Sequence, residues 1–206
     1  MSRVFLASRN PGKLAEMQRI LAEHLPDIEV LGLDDVAPYD EPAETEASFE
    51  GNAVLKARAA VAATGLPSLA DDSGLCVDAL NGMPGVLSAR WAGVSDPSRQ
   101  VKDDANNALL LAQLADVPEE RRGAAFVCAV AFVQPGGEPH VVVGRMPGRV
   151  IRETRGSGGF GYDVLFCADG HDVTSAQMSA ADKDAISHRG QALRAVAPLV
   201  ASALRS

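Results

Sequence analysis

The stretch Val4-Phe5-Leu6-Ala7-Ser8-Arg9-Asn10-Pro11-Gly12-Lys13 decides how this chain is read. Four apolar residues suit a short buried strand, and the six after them are turn formers and cations. Beyond them Leu14, Met17, Ile20, Leu21 and Leu25 recur at helical spacing, which predicts a helix over 14–24. A strand, a tight loop and a helix in that order make the first step of an α/β fold. A helix entered from such a loop offers unpaired backbone N–H groups and the positive end of its dipole. Ser8 and Asn10 add hydrogen-bonding groups there, and Arg9 and Lys13 add charge. The loop therefore suits an anion, although a capped helix with surface cations would read the same way.

Outward from that unit, 28–33 reads as a second strand and 34–46 as an acidic, proline-bearing loop. An alanine-rich helix follows over 48–64, stopped by Gly65. Residues 66–70 form an apolar strand that halts at Asp71-Asp72-Ser73-Gly74, with 75–80 as a possible continuation. After a glycine- and proline-rich loop, a long helix is predicted over 97–115. Residues 124–133 and 140–145, separated by Gln134-Pro135-Gly136-Gly137-Glu138, read as a hairpin. A glycine-rich segment over 155–162 leads into Tyr162-Asp163-Val164-Leu165-Phe166, read as a strand. The last helix runs from an N-cap at Ser187 to about Leu204, with an irregularity expected at Pro198.

Composition narrows the function. The chain has 206 residues, 47% hydrophobic and 22% charged, and suits one ordinary globular domain, 1–206. The longest uncharged run, Gly123 to Gly137, is shorter than the roughly 20 residues a membrane helix needs. No secretory signal pattern opens the sequence, so a cytoplasmic location is expected. A formal charge of −8 and nine aromatic residues argue against a nucleic-acid or anionic-membrane binder. Cys76, Cys128 and Cys167 form no CxxC and read as reduced core thiols, and the four histidines lack zinc-site spacing.

Two motifs mislead. Ala7-x4-Gly12-Lys13-Leu14 lacks the first glycine of a phosphate-binding P-loop, and Leu14 stands where Ser or Thr should be. Gly156-Ser157-Gly158-Gly159-Phe160-Gly161 spells GxGxxG but is followed by a predicted strand rather than a helix. Four other features carry chemistry. Asn52 and Lys56 lie one turn apart on a helix face. Asp71 and Asp72, side by side at a strand end, need a cation or donors, and Mg²⁺ takes one or two carboxylates with phosphate oxygens. Glycines flanking Phe160 leave its ring open to stack on a flat base, with Asp163 beside it as an acceptor. His188 and Arg189, in the first turn of a helix, oppose its dipole unless they face an anion or a carbonyl.

Taken together these segments resemble the inosine triphosphate pyrophosphatase family. The carriers are Ala7 to Lys13, Phe49-Glu50-Gly51-Asn52-Ala53 with Lys56-Ala57, and Ala70-Asp71-Asp72-Ser73-Gly74-Leu75. Pro84-Gly85-Val86, Ser88-Ala89-Arg90-Trp91, Gly158 to Asp163 and Ser187-His188-Arg189-Gly190 complete the set. The resemblance spans nearly the whole chain. It implies an α/β fold with an elongated mixed β-sheet flanked by helices, two lobes with a substrate cleft between them, and a homodimer. It also implies Mg²⁺-dependent hydrolysis of deaminated purine nucleoside triphosphates to the monophosphate and pyrophosphate.

Carried over by position, the resemblance gives Ser8, Arg9, Asn10, Pro11, Gly12 and Lys13 to the triphosphate, with Lys56. Glu44 and Asp72 become metal ligands, Asp72 also the water-activating base, and Ser73 a substrate contact. Glu41 and Glu46 neighbour Glu44 in the acidic loop, and Asp71 is a possible second carboxylate on the metal. Phe160, Gly161, Tyr162, Asp163, Lys183, His188 and Arg189 form the nucleoside end. Arg189 and Asp163 then match the O6 acceptor and N1–H donor of a deaminated purine, an edge that adenine reverses. A Maf-like pyrophosphatase of other bases and a nucleotide sensor that does not hydrolyse are the rival readings.

Overall fold

In the computed structural model, which describes residues 2–8 and 11–205, six strands form one mixed sheet. In chain order they are β1 (Arg3–Leu6), β2 (Glu29–Leu31), β3 (Ser68–Val77), β4 (Gly123–Val133), β5 (His140–Val150) and β6 (Phe166–Ala168). Their order across the sheet is β2-β1-β3-β4-β5-β6. β1 pairs in parallel with β2 and β3, whereas β5 and β6 are antiparallel. The helices are α1 (Pro11–Ala22), α2 (Phe49–Thr64), α3 (Arg99–Gln113), α4 (Ala180–Ile186) and α5 (His188–Arg205).

The chain divides into two compact units. The first holds residues 1–72, 128–144 and 189–206, and the second 73–127 and 145–188. In the first unit β1 is buried on both faces, as parallel strands are when helices cover each side. Val4 and Leu6 join Met17, Ile20 and Leu21 of α1 and Leu193, Val196 and Val200 of α5 in one core cluster. Phe5, pointing the other way, packs with Leu31 and with Ala60 of α2. The buried stripe of α2 is Phe49, Asn52, Ala53, Ala57 and Ala60. Small residues there let the helix lie close to the sheet, which brings its polar members Asn52 and Lys56 within reach of β3. Ser48 caps its start by accepting from the Gly51 N–H, and left-handed Gly65 closes its end on the Val61 carbonyl.

The second unit has its own core, built on Leu75, Val77, Leu110, Leu114, Phe126, Met146, Leu165 and Phe166. Arg122 is 1% exposed inside it. Its guanidinium donates to the carbonyls of Leu114 at 2.6 Å, Val150 at 2.8 Å and Ile151 at 3.1 Å. One side chain thereby ties the end of α3 to the end of β5.

Five local expectations change. α1 begins at Pro11, a residue suited to a first helical position, so Lys13 belongs to the first turn and not to the loop. β3 does not stop at the aspartates: it runs ten residues straight through them, because both carboxylates find partners on the way. Gly161–Val164 is a 3-10 turn, and the strand there starts only at Phe166. β5 continues to Val150, since its second half pairs with β6. α4 is an additional helix, capped by Ser179, whose hydroxyl accepts from the Asp182 N–H. No helix among the described residues is long and apolar enough to cross a membrane.

Replacing Arg122 with methionine is expected to lower stability by about 2 kcal/mol, since the Val150 and Ile151 carbonyls each lose their guanidinium donor at about 1 kcal/mol or more, while the Leu114 carbonyl keeps the Val117 N–H. Thermal unfolding should register this at roughly 2–4 °C per kcal/mol for a chain of this size. An unchanged melting temperature would show that the guanidinium does not hold these elements together.

Candidate functional site

Alternation along β3 sends Asp71 and Asp72 to opposite faces of the sheet. Each meets its own cation, and this removes the repulsion that adjacent carboxylates would otherwise suffer. On the side of α1 and α5, the Lys13 ammonium donates to both Asp71 oxygens, at 2.8 and 2.7 Å. Arg189 Nε lies 3.5 Å from the same carboxylate. Burial opposes the charge on Asp71, but Lys13, Arg189 and Lys56 outweigh it and hold this carboxyl well below the usual range. Cys128 Sγ lies 4.0 Å from Asp71, and burial, with that negative charge, pushes its thiol up to about 12. It is a protonated core thiol, as the sequence suggested, and Cys76 and Cys167 are likewise unbridged.

On the α2 side, Asp72 accepts from Asn52 Nδ2 at 3.0 Å and from Lys56 Nζ at 3.1 Å. Lys56 also reaches Glu44 at 3.0 Å, so two carboxylates converge on one ammonium. Burial and the nearby Glu44 raise Asp72 above the ordinary aspartate range against the pull of Lys56 and Asn52. Burial works against the charge of Lys56, but Asp72 and Glu44 prevail and raise its pKa. Neighbours in sequence thus sit in unlike environments, Asp71 lowered and Asp72 raised. Such a split marks carboxylates with different tasks.

The sequence quoted Asn52 without giving it a role, and the structure supplies one. It is fully buried, and its Oδ1 accepts from the Glu46 N–H at 3.0 Å while its amide holds Asp72. One side chain therefore fixes the acidic loop onto β3 and selects which glutamate reaches Lys56. The only signal for this in the sequence was its spacing of one turn from Lys56.

The other predicted residues are placed as follows. Ser8 follows β1, its N–H on the Leu6 carbonyl, and Pro11 and Gly12 open α1. Arg9 and Asn10 lie outside the described residues. Ser73 follows Asp72 on β3. Arg189, expected at the nucleoside end, is found with Asp71.

In the second unit, Asp163 is 3% exposed and its Oδ2 accepts from the Phe160 N–H at 2.9 Å and from Lys183 on α4. Phe160 is 42% exposed, with the Lys183 ammonium 5.5 Å from the centre of its ring. Tyr162 is buried, with its hydroxyl donating to the Ser88 carbonyl at 2.9 Å, and burial pushes its phenol up. Its hydroxyl thus serves the protein interior. His188 stacks on Phe126, ring centroids 5.1 Å apart and 13° from parallel. Gly159 has φ +69°, and a Cβ there would stand 2.1 Å from Asp163 Oδ2, so only glycine fits.

Fold and charges define a class: an α/β protein carrying three carboxylates and three cations that neutralise one another along one strand. Known proteins make it specific. A model of the Ham1 family matches residues 4–199. The dITP/XTP pyrophosphatase of Nocardia farcinica is 61% identical over 203 residues, spanning 98% of this chain and 96% of that protein. A solved HAM1 protein from Coxiella burnetii superposes with a TM-score of 0.87 at 37% identity, covering 98% of this chain and 100% of that one. The nucleoside-triphosphatase / dITP/XTP pyrophosphatase structure from Mycobacterium abscessus gives 0.79 at 54% identity, covering 95% and 99%. The chain belongs to the Ham1 family.

Asn52→Ala strands the Glu46 N–H and one Asp72 oxygen, and should cost about 2–4 kcal/mol in urea unfolding. Asn52→Asp should be worse, because it sets a second carboxylate against Asp72 in a buried place. Equal stabilities of the two variants would contradict the assigned hydrogen bonds.

Proposed function

We propose that this chain hydrolyses deaminated purine nucleoside triphosphates (dITP, ITP and XTP) to the nucleoside monophosphate and pyrophosphate, clearing them from the nucleotide pool. Family membership supports the reaction class, and relatives named dITP/XTP pyrophosphatase at 57–61% identity support the substrates. The observation that carries it is Asp72: a buried carboxylate, raised above its ordinary range, one ammonium away from Glu44.

In this reading water attacks the α-phosphorus, the bond from that phosphorus to the bridging oxygen breaks, and pyrophosphate departs. Asp72 accepts the proton of the attacking water. Lys13 and Lys56 neutralise the phosphates. An ammonium has three donors, and the carboxylates described above occupy two on each lysine, leaving one for a phosphate oxygen. Ser8, Arg9, Asn10, Pro11 and Gly12 complete the triphosphate end, with Ser73 beside the base catalyst. Phe160 stacks on the purine, Asp163 accepts from its N1–H, and Gly161, the Tyr162 backbone, Lys183, His188 and Arg189 complete the nucleoside end.

Mg²⁺ fits the donor set. Glu44 and Asp72 offer hard oxygen atoms that already converge on one cationic centre. Among the described residues no group of three or more His, Cys, Asp and Glu gathers to hold a metal unaided. That also suits an ion that takes one or two carboxylates and completes its shell with water and substrate phosphate. When bound, it supplies charge compensation for the leaving pyrophosphate and a more acidic water. We further propose that the chain works as a single domain in a cytoplasmic homodimer. Its charge of −8 suits free nucleotides better than nucleic acid or a membrane, and its three free thiols suit a reducing compartment.

Pyrophosphate release from ITP, XTP, dITP, GTP, ATP and dTTP, with Mg²⁺ and with EDTA, tests the assignment. Fast Mg²⁺-dependent release from ITP, dITP and XTP with little from ATP is expected; release mainly from dTTP would replace the substrate class. Asp72→Asn should lower kcat by about 10²–10⁴-fold while the circular dichroism spectrum stays unchanged. Near-normal turnover in that variant would remove Asp72 as the base.

A further inference from the structure

We propose that α3 sets the base selectivity of the site by gripping Phe160 and Gly161 at three points, through Arg99, Asp103 and Asn107. The inference rests on the reading of Phe160 as the surface on which the purine stacks. The three residues recur every fourth position, so they form one stripe along α3. The Arg99 guanidinium carbon lies 4.0 Å from the centre of the Phe160 ring. Asp103 Oδ2 accepts from the Gly161 N–H at 2.8 Å. Asn107 Nδ2 donates to the Gly161 carbonyl at 2.9 Å. Ring, N–H and carbonyl of two consecutive residues are thus all held by one helix. Arg99 is also drawn to Asp103, with Nε 3.6 Å from Oδ2.

Packing holds only the start of this segment, where Gly156 and Gly158 lie against Ala176 and the Gly158 N–H donates to the Ala176 carbonyl at 3.0 Å. A cavity of about 450 Å³, lined by Gln100, Asp103, Asn107, Gly158, Gly159 and Phe160 among others, lies beside the glycine loop and α3. That is the bulk volume of roughly 15 water molecules. Gly156, Gly159 and Gly161 all have positive φ, so the loop backbone has no side chains of its own at those turns to stiffen it. The ring is fixed by the grip of α3, by the Asp163 contact to the Phe160 N–H and by Lys183, whose ammonium lies 5.5 Å from its centre.

Asn107 carries a further sign of purpose. It is 6% exposed, and its Oδ1 has no hydrogen-bond partner among the described residues. A buried oxygen left unpaired is a standing cost, and an apolar residue would avoid it. The residue is therefore present for its N–H donor, which meets the Gly161 carbonyl. Arg99, with a side chain 61% exposed, is held over the ring by its pairing with Asp103 rather than by burial.

Arg99, Asp103 and Asn107 are positioning residues, acting on the stacked base through Phe160 and on its N1–H edge through Asp163, whose Oδ2 holds the same Phe160 N–H, so their loss should change KM and selectivity rather than the chemical step. For Arg99→Gln, the KM for ITP should rise about 2–5-fold at unchanged kcat, the range a cation–π contact supports. Arg99→Lys, which keeps a cation over the ring, should recover most of that loss. Asn107→Ala should lower the ratio of kcat/KM for ITP to that for ATP by about 3–10-fold. A merely structural role would instead depress both substrates equally. Arg99→Gln alters an exposed side chain and so remains informative even where Asn107→Ala folds poorly. Parent-like KM and selectivity in Arg99→Gln, in a preparation whose parent enzyme is active on ITP, would overturn the inference. A parent enzyme inactive on every deaminated purine triphosphate would overturn the underlying reading instead, and the two failures are told apart by that control.

Discussion

Two aspartates adjacent in a strand must point to opposite faces of the sheet, and much of this molecule is arranged around that fact. Because β3 continues through Asp71 and Asp72, each face needs its own cation, and each face has a helix to supply one. α1 brings Lys13 to Asp71, and α2 brings Lys56 to Asp72. The same alternation separates their electrostatics. Asp71 is outnumbered by cations and stays ionised, whereas Asp72 shares Lys56 with Glu44 and is held less firmly. A chain with net charge −8 in this way gathers Lys13, Lys56 and Arg189 at one strand, each paired with a carboxylate.

Small residues make this arrangement possible. Ala53, Ala57 and Ala60 let α2 approach the sheet until Asn52 and Lys56 reach β3. Asn52 then does double service, fixing Asp72 and anchoring the acidic loop at Glu46. A bulkier face on α2 would hold the ammonium away from both carboxylates. Helix packing and site chemistry are here one constraint, because the distance between backbones decides whether a lysine can span them.

The second unit uses a different device. Its glycine-rich loop packs on Ala176 at Gly156 and Gly158, and beyond them its shape is set by hydrogen bonds to main-chain groups: Asp163 on the Phe160 N–H, and Asp103 and Asn107 on Gly161. Glycine is required where the turn is left-handed and where Asp163 must come close, as at Gly159. An exposed aromatic ring held in this way is a platform whose orientation depends on polar contacts more than on burial.

The sequence alone determined the opening strand–loop–helix unit, the capped α2 ending at Gly65, the hairpin turn and the pairing of Asn52 with Lys56. These follow from local periodicity and turn chemistry, which act within a few residues. The order of its motifs was also enough to identify the family. Tertiary structure decided what depends on partners distant in sequence. β3 runs through its aspartates because Lys13, Lys56 and Arg189 meet them from other elements, and no local pattern shows that. Glu44 was one of three neighbouring glutamates until Lys56 gave it a partner. That Arg189 meets Asp71, and that the Tyr162 hydroxyl is buried on the Ser88 carbonyl, is likewise set by partners distant in sequence. The stripe of Arg99, Asp103 and Asn107 leaves no local signal in the sequence, because the glycine loop it grips lies more than fifty residues further along the chain. Side-chain spacing is written in the sequence; what stands opposite is set by the fold.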